Sequence, residues 1–236
     1  FPFKVEALNM CLDFTYSFVA NEAWKEMQAV SDANKYTTQF GEFFLDNKKN
    51  KSENCSVNYH QLRMNKPSFY TDELKRLEAY IGAINQDGAD ITDVVQIGTG
   101  GSCLGPKFLC KALKAGFQLS GKKINRHFHF VSSLDSLAIR SLLSSLDLDK
   151  TLFVVASKSG STMEVVSNVT VLEELWENSG RLKEDLRKSM IALTMKGTPM
   201  DHESLFSHRF YIDEAIGGRF SVSSVMGMCI VGLCFG

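Results

Sequence analysis

From Ile91 onward the chain alternates short apolar runs with stretches of helical periodicity, and this alternation narrows the possible folds more than any other feature. The runs fall at residues 94–97, 127–131, 151–156, 190–194 and, more weakly, 210–212. Helical stretches occupy residues 106–115, 135–146 and 163–178 between them. Parallel strands need crossover connections, and those connections are right-handed. The expected fold class is therefore α/β, a parallel sheet of about five strands flanked by helices. Such sheets bind ligands beyond the carboxyl ends of their strands, so function is sought in the loops that follow them.

The first ninety residues have a different texture. Leu8, Leu12, Phe14, Phe18, Val19, Trp24 and Met27 recur at roughly helical spacing, which predicts a helix within residues 7–30. The polar, charged stretch 47–58 reads as a solvated loop. Thr71-Asp-Glu then opens a second helix through Leu74, Leu77, Tyr80, Ile81 and Ile84, which Asn85-Gln-Asp-Gly88 ends. The expected organisation is a helical arm over 1–90 and the sheet domain over 91–236, within reach of 236 residues.

Composition excludes some classes. Lys and Arg number 26 against 27 Asp and Glu, which argues against a broadly basic nucleic-acid surface. Six cysteines form no C-x-x-C pair and no zinc pattern, so free thiols in a reducing cytoplasm are expected. The final apolar run, 225–236, is shorter than the roughly 20 residues a bilayer span needs, and the N-terminus carries no signal-peptide pattern. That run is expected to be a buried helix, and the chain a piece of a longer protein; no membrane partner is expected.

Three loops carry chemistry. Gly98-Thr-Gly-Gly-Ser-Cys-Leu-Gly-Pro106 follows the first strand, and its glycines allow close backbone approach to an anion. The dinucleotide fingerprint fails there because Cys103 stands where a third glycine belongs, and a P-loop fails at Pro106-Lys107. Pro106 suits the first turn of a helix. A turn that only packs the helix on the sheet remains an equal reading. Ser157-Lys-Ser-Gly-Ser-Thr162 follows the strongest strand, and five of its six residues offer a hydroxyl or ammonium donor. Ser161 and Glu164 have capping-box spacing, which puts a helix N-terminus beside that cluster and suggests a cradle for a phosphomonoester. A polar cap with no ligand is the blander alternative. In the third loop, Ile216-Gly-Gly-Arg-Phe-Ser-Val-Ser-Ser224, Arg219 offers a cation for a developing oxyanion or a salt-bridge partner for a nearby carboxylate.

In this order and spacing, IGTGGSCLGP, ASKSGSTMEV and GGRFSVSS resemble the glucose-6-phosphate isomerase family over residues 91–236. Singly, each resembles a sugar isomerase (SIS) domain. The resemblance implies an SIS-type sheet and a cytoplasmic homodimer that interconverts glucose 6-phosphate and fructose 6-phosphate in glycolysis and gluconeogenesis, with no metal or cofactor. It also implies that Gly101 and Ser102 face the sugar, that Ser157, Lys158, Ser159 and Thr162 surround the phosphate with Ser161 beside them, and that Arg219 stabilises an enediolate. The family often has Ile and Asp where this chain has Thr99 and Cys103, and Lys-Thr-Phe-Thr-Thr where it has Lys-Ser-Gly-Ser-Thr. Its catalytic glutamate, its histidine and its ring-opening lysine come from segments beyond a GGRFS loop. The isolated chain is accordingly expected to bind sugar phosphate without isomerising it.

Local substitutes for the missing base are unconvincing. His127 and His129 alternate on one strand and are expected to be half-buried structural residues, with His202 and His208 at the surface. Asp213 and Glu214 are expected to be counter-ions for Arg219. The rival from another class is a stand-alone phosphosugar-binding SIS module that regulates a partner without catalysis. A dinucleotide-dependent oxidoreductase is weaker still.

Overall fold

The computed structural model describes residues 4–17, 19–45, 49–50, 54–64, 67–86, 90–121, 124 and 126–235. Expectations for Phe18, for parts of 47–58, and for Asp87 and Gly88 lie outside these residues. The chain divides into two compact units, Phe1–Ser56 and Val57–Gly236.

The first unit is not helical from residue 7. Strands β1 (Lys4–Ala7) and β2 (Met10–Asp13) pair antiparallel, Val5 opposite Leu12. The two-residue turn between them holds Leu8 at φ 53° and Asn9 at φ 60°. Positive φ at both positions matches the right-handed twist of a tight hairpin. Asp13 then accepts a hydrogen bond from the Thr15 amide (2.9 Å), an Asx-type turn that separates hairpin from helix. Helix α1 therefore begins only at Asn21 (Asn21–Ala33), followed by α2 (Tyr36–Phe44) and the short antiparallel pair β3 (Lys49–Asn50) and β4 (Cys55–Ser56).

The second unit opens with a 3-10 turn (Tyr59–Leu62) and α3 (Ser68–Gln86). Its centre is β5 (Asp93–Gly98), β6 (His127–Val131), β7 (Thr151–Ala156), β8 (Met190–Thr194) and β9 (His208–Tyr211), all parallel in the order β6-β5-β7-β8-β9. Helices α4 (Gly101–Leu119), α5 (Ser136–Ser144), α6 (Met163–Asn178), α7 (Lys183–Lys188) and α8 (Val225–Phe235) surround it. Alternate residues of β7 feed two cores. Leu152, Val154 and Ala156 join Leu77, Ile81, Met226 and Ile230 on one face. Phe153 and Val155 join Ile139, Leu172 and Trp176 on the other. A sheet buried on both faces explains why its strands read as continuous apolar runs.

The apolar C-terminal run forms α8, whose Val225, Met226, Cys229, Ile230 and Leu233 are buried against α3 and α4, as expected. By length and composition Gly218–Phe235 also qualifies as a membrane span, but this burial is the setting of a core helix.

Candidate functional site

The strand order reverses at β5. Its chain neighbour β6 lies on one side, and β7, reached by the next crossover, lies on the other. In open α/β sheets the crevice at such a switch point, outside the carboxyl ends of the strands, is where ligands bind. The first loop leaves from β5 and the second from β7.

Helix α4 starts at Gly101, five residues before the proline taken to mark its first turn. Gly100 at its N-cap has φ 53° and ψ −127°, a conformation for glycine. Pro106, inside the helix, has no N–H for the carbonyl of Ser102 four residues earlier. The strand beneath supplies the donor: Gln96, fully buried in β5, donates its Nε2 to Ser102 O at 2.6 Å. A polar residue inside Val94-Val-Gln-Ile97 is the signal that would have found this contact. Cys103, in the first turn of α4, is buried, and burial pushes its thiol pKa up, which disfavours the thiolate.

Gly101 has a tighter reason to be glycine. A Cβ placed there would stand 2.0 Å from Gly218 O and 2.9 Å from Arg219 N. The first loop thus meets the third at backbone distance, beside Arg219. The third loop is a 3-10 segment (Gly218–Ser223), and Phe220 stacks on Tyr59 with ring centroids 3.7 Å apart.

The hydroxyl cluster of the second loop closes on itself. Ser157 is buried, and its Oγ lies 2.8 Å from Thr162 Oγ1 and accepts from the Gly160 amide at 3.1 Å. Ser159 Oγ lies 3.4 Å from Thr162 Oγ1, and Ser161 Oγ donates to Ser159 Oγ at 3.3 Å. Gly160 has φ 65°, and a Cβ on it would meet Thr198 Oγ1 at 2.7 Å. Lys158 reaches the segment just before the third loop, donating its Nζ to Glu214 O at 2.6 Å.

Two expectations are corrected here. Ser161 and Glu164 form no capping box. The N-cap of α6 is Thr162, whose hydroxyl turns to Ser157 and makes no bond to the helix. The first-turn amides of α6 therefore lack a side-chain cap and stand next to the hydroxyls and Lys158, a setting that favours an anion. By contrast α5, at the same sheet edge, is closed by Asp135, which accepts from the Leu137 and Ala138 amides. Asp213 and Glu214 are not counter-ions for Arg219. Asp213 Oδ1 accepts from the Ala215 amide at 2.7 Å, and Glu214 offers Lys158 its backbone carbonyl. Arg219 is exposed, and among the described residues no ion pair holds it.

The four histidines named from the sequence are placed as follows. His127 begins β6, at the sheet edge opposite the loops, and is exposed rather than half-buried. His129 is half-buried and its Nε2 lies 2.8 Å from Asp93 Oδ1. Burial raises the Asp93 pKa, but the hydrogen bonds from His129 and Thr92 outweigh it and leave the carboxyl below its ordinary value. His202 and His208 are exposed. Among the described residues no group of three or more His, Cys, Asp or Glu side chains is arranged to hold a metal ion.

Comparison with known proteins gives a consistent picture. The sequence pattern of the family described as phosphoglucose isomerase matches residues 13–236. Glucose-6-phosphate isomerase of Treponema denticola is 32% identical over an alignment 246 positions long, which covers 97% of this chain and 45% of that protein. The Treponema pallidum protein of the same name is 36% identical over 175 residues, 72% of this chain and 32% of the relative. Among solved structures, a glucose-6-phosphate isomerase from Chlamydia trachomatis superposes with a TM-score of 0.73 at 26% identity, covering 92% of this chain and 43% of its own. The chain thus spans less than half the length of these relatives.

Proposed function

This chain belongs to the phosphoglucose isomerase family, and from that premise we propose that it supplies the phosphosugar-binding part of an enzyme interconverting glucose 6-phosphate and fructose 6-phosphate. The observation that carries the proposal is the convergence of three loops at the sheet's switch point, joined through Gly101 to Gly218 and Lys158 to Glu214.

In this reading the phosphate lies on the uncapped N-terminus of α6, among Ser157, Lys158, Ser159, Ser161 and Thr162. Gly101 and Ser102 border the sugar. Aldose–ketose exchange moves a proton between C1 and C2 through an enediolate, so a carboxylate base must reach that proton. Arg219, anchored by the backbone contact with α4 and in no ion pair among the described residues, meets the negative charge growing on oxygen. The phosphate is remote from the reacting carbons, and its binding energy fixes their geometry. The base comes from outside these residues, and the whole protein is a cytoplasmic homodimer. Sedimentation of the full-length protein at twice its chain mass supports the dimer, and sedimentation at the chain mass refutes it. The family match runs through the third loop, a segment that a binding-only module does not require.

Calorimetric titration with fructose 6-phosphate tests the cradle. A charge-assisted bond to phosphate contributes roughly 1.5–3 kcal/mol. Lys158→Ala should therefore weaken binding about 10- to 100-fold. Inorganic phosphate should compete with the sugar phosphate in the parent chain. Unchanged affinity in the variant would remove Lys158 from the site.

A further inference from the structure

Away from the three loops, α4 and α8 bring two cysteines together. Cys110 and Cys234, 124 residues apart in sequence, have their Sγ atoms 3.8 Å from each other. Both are nearly buried, at 5% and 7% exposure, yet both line one cleft of about 290 Å³ that opens between α4 and β6. Lys107, Lys111, Lys114 and Arg126 surround that cleft. Arg126 also donates to Leu233 O at 3.1 Å and so fixes the last turn of α8, where Cys234 sits.

The two thiols are electrostatically unequal. A hydrogen bond from Cys234 holds the Cys110 pKa below the ordinary thiol value against the opposing effect of burial, and Lys114 adds to the lowering. The same shared proton raises Cys234. Cys229, on the same helix but wholly enclosed, is pushed up to about 12 by burial. A thiol whose thiolate is favoured, beside one that holds its proton, is the arrangement that redox chemistry uses.

We propose that Cys110 and Cys234 form a peroxide-responsive pair that closes to a reversible disulfide between α4 and α8. The Cys110 thiolate attacks hydrogen peroxide: an S–O bond forms, the O–O bond breaks, and hydroxide leaves as water after taking a proton. The Cys234 sulfur, losing its proton, then attacks the sulfenic sulfur. The S–S bond forms, the S–O bond breaks, and a second water departs. Two thiols are oxidised by two electrons, and one peroxide is reduced to two waters. Closure takes the sulfurs from 3.8 Å to the ~2.05 Å of a disulfide, on two helices already packed together. The bond would tie α4, which begins at Gly101, to α8, which follows the Arg219 loop.

The test treats the reduced 236-residue chain with a few equivalents of hydrogen peroxide, alkylates the remaining thiols and maps the peptides by mass. The expected product joins the Cys110 and Cys234 peptides with loss of two hydrogens, and dithiothreitol restores both thiols. In Cys234→Ser, Cys110 should instead accumulate as a sulfenic acid trapped by a 1,3-dione. Recovery of Cys110 and Cys234 as alkylatable thiols after peroxide would overturn the proposal. So would a bond from either to another cysteine, or an irreducible oxide at either one. The parent-chain map decides the matter even if the serine variant does not fold.

Discussion

Pro106 occupies the position where α4 needs an N–H for the Ser102 carbonyl, and the Gln96 side chain provides one from β5. The pair is a compensation between a backbone defect and a buried amide, so the two residues should be energetically coupled. Gln96→Leu leaves the Ser102 carbonyl unpaired, a cost of about 1–3 kcal/mol for a buried acceptor. Pro106→Ala restores the missing N–H and should remove most of that cost. Urea unfolding of the two single variants and the double variant gives the coupling directly. Gln96→Leu should be at least ~1 kcal/mol more damaging in the parent chain than in the Pro106→Ala background. Equal cost in both backgrounds would show that the amide does not serve the proline. At this scale the sequence was half legible. The hydroxyls, Lys158 and the glycines of the loops could be picked out by type, but the partners of Asp213, Glu214 and Ser161 could not. Those partners depend on which backbone amide or carbonyl a side chain meets after folding.

Among the elements, β6, β7, β8 and α6 have the bounds that apolar runs and helical periodicity suggest, because a strand buried on both faces or a helix with one apolar stripe writes its pattern locally. The start of α4 was hidden for the opposite reason. Gly-Thr-Gly-Gly-Ser reads as a loop, and Gly101 and Gly105 stand in a helix where distant parts of the chain come close, backbone at the first and a side chain at the second. Gly218 touches the first of them and Val222 the second. Gly227 of α8 belongs to the same packing, since a Cβ there would stand 1.9 Å from Val222 O. The 3-10 segment is thus wedged between two helices at glycine contacts. Gly116, farther along α4, has nothing within 4 Å of an added Cβ. Alanine should act oppositely at these sites. Gly116→Ala should stabilise by up to about 1 kcal/mol through helix propensity. Gly227→Ala should destabilise by about 1–3 kcal/mol through overpacking and displace the third loop. Thermal unfolding of both variants checks the sign. A stabilising Gly227→Ala would mean that the wedge is slack.

For the whole molecule, the alternation of strand and helix was enough to foresee the parallel sheet and to direct attention to the loops at one edge of it. The order β6-β5-β7-β8-β9 sharpens that edge to the crevice between β5 and β7. What no local pattern conveys is that the third loop, leaving from the far strand β9, comes back to touch the first at Gly101. This closure puts Arg219 beside the first loop. Asp213 is engaged with a backbone amide, Glu214 contributes its carbonyl, and Glu164 stands in the first turn of α6 without a cap to make. If the base lies outside these residues, binding and proton transfer separate experimentally. In deuterium oxide an enediolate returns with deuterium at C1 or C2, so NMR detects proton abstraction even when net isomerisation is slow. The isolated chain should bind fructose 6-phosphate and show no such exchange above the uncatalysed rate. A coupled assay should likewise stay below about 1 s⁻¹, the lower end of ordinary enzyme turnover. Exchange that disappears in Glu164→Gln while binding persists would instead make Glu164 the base and place the complete proton-transfer machinery within this chain.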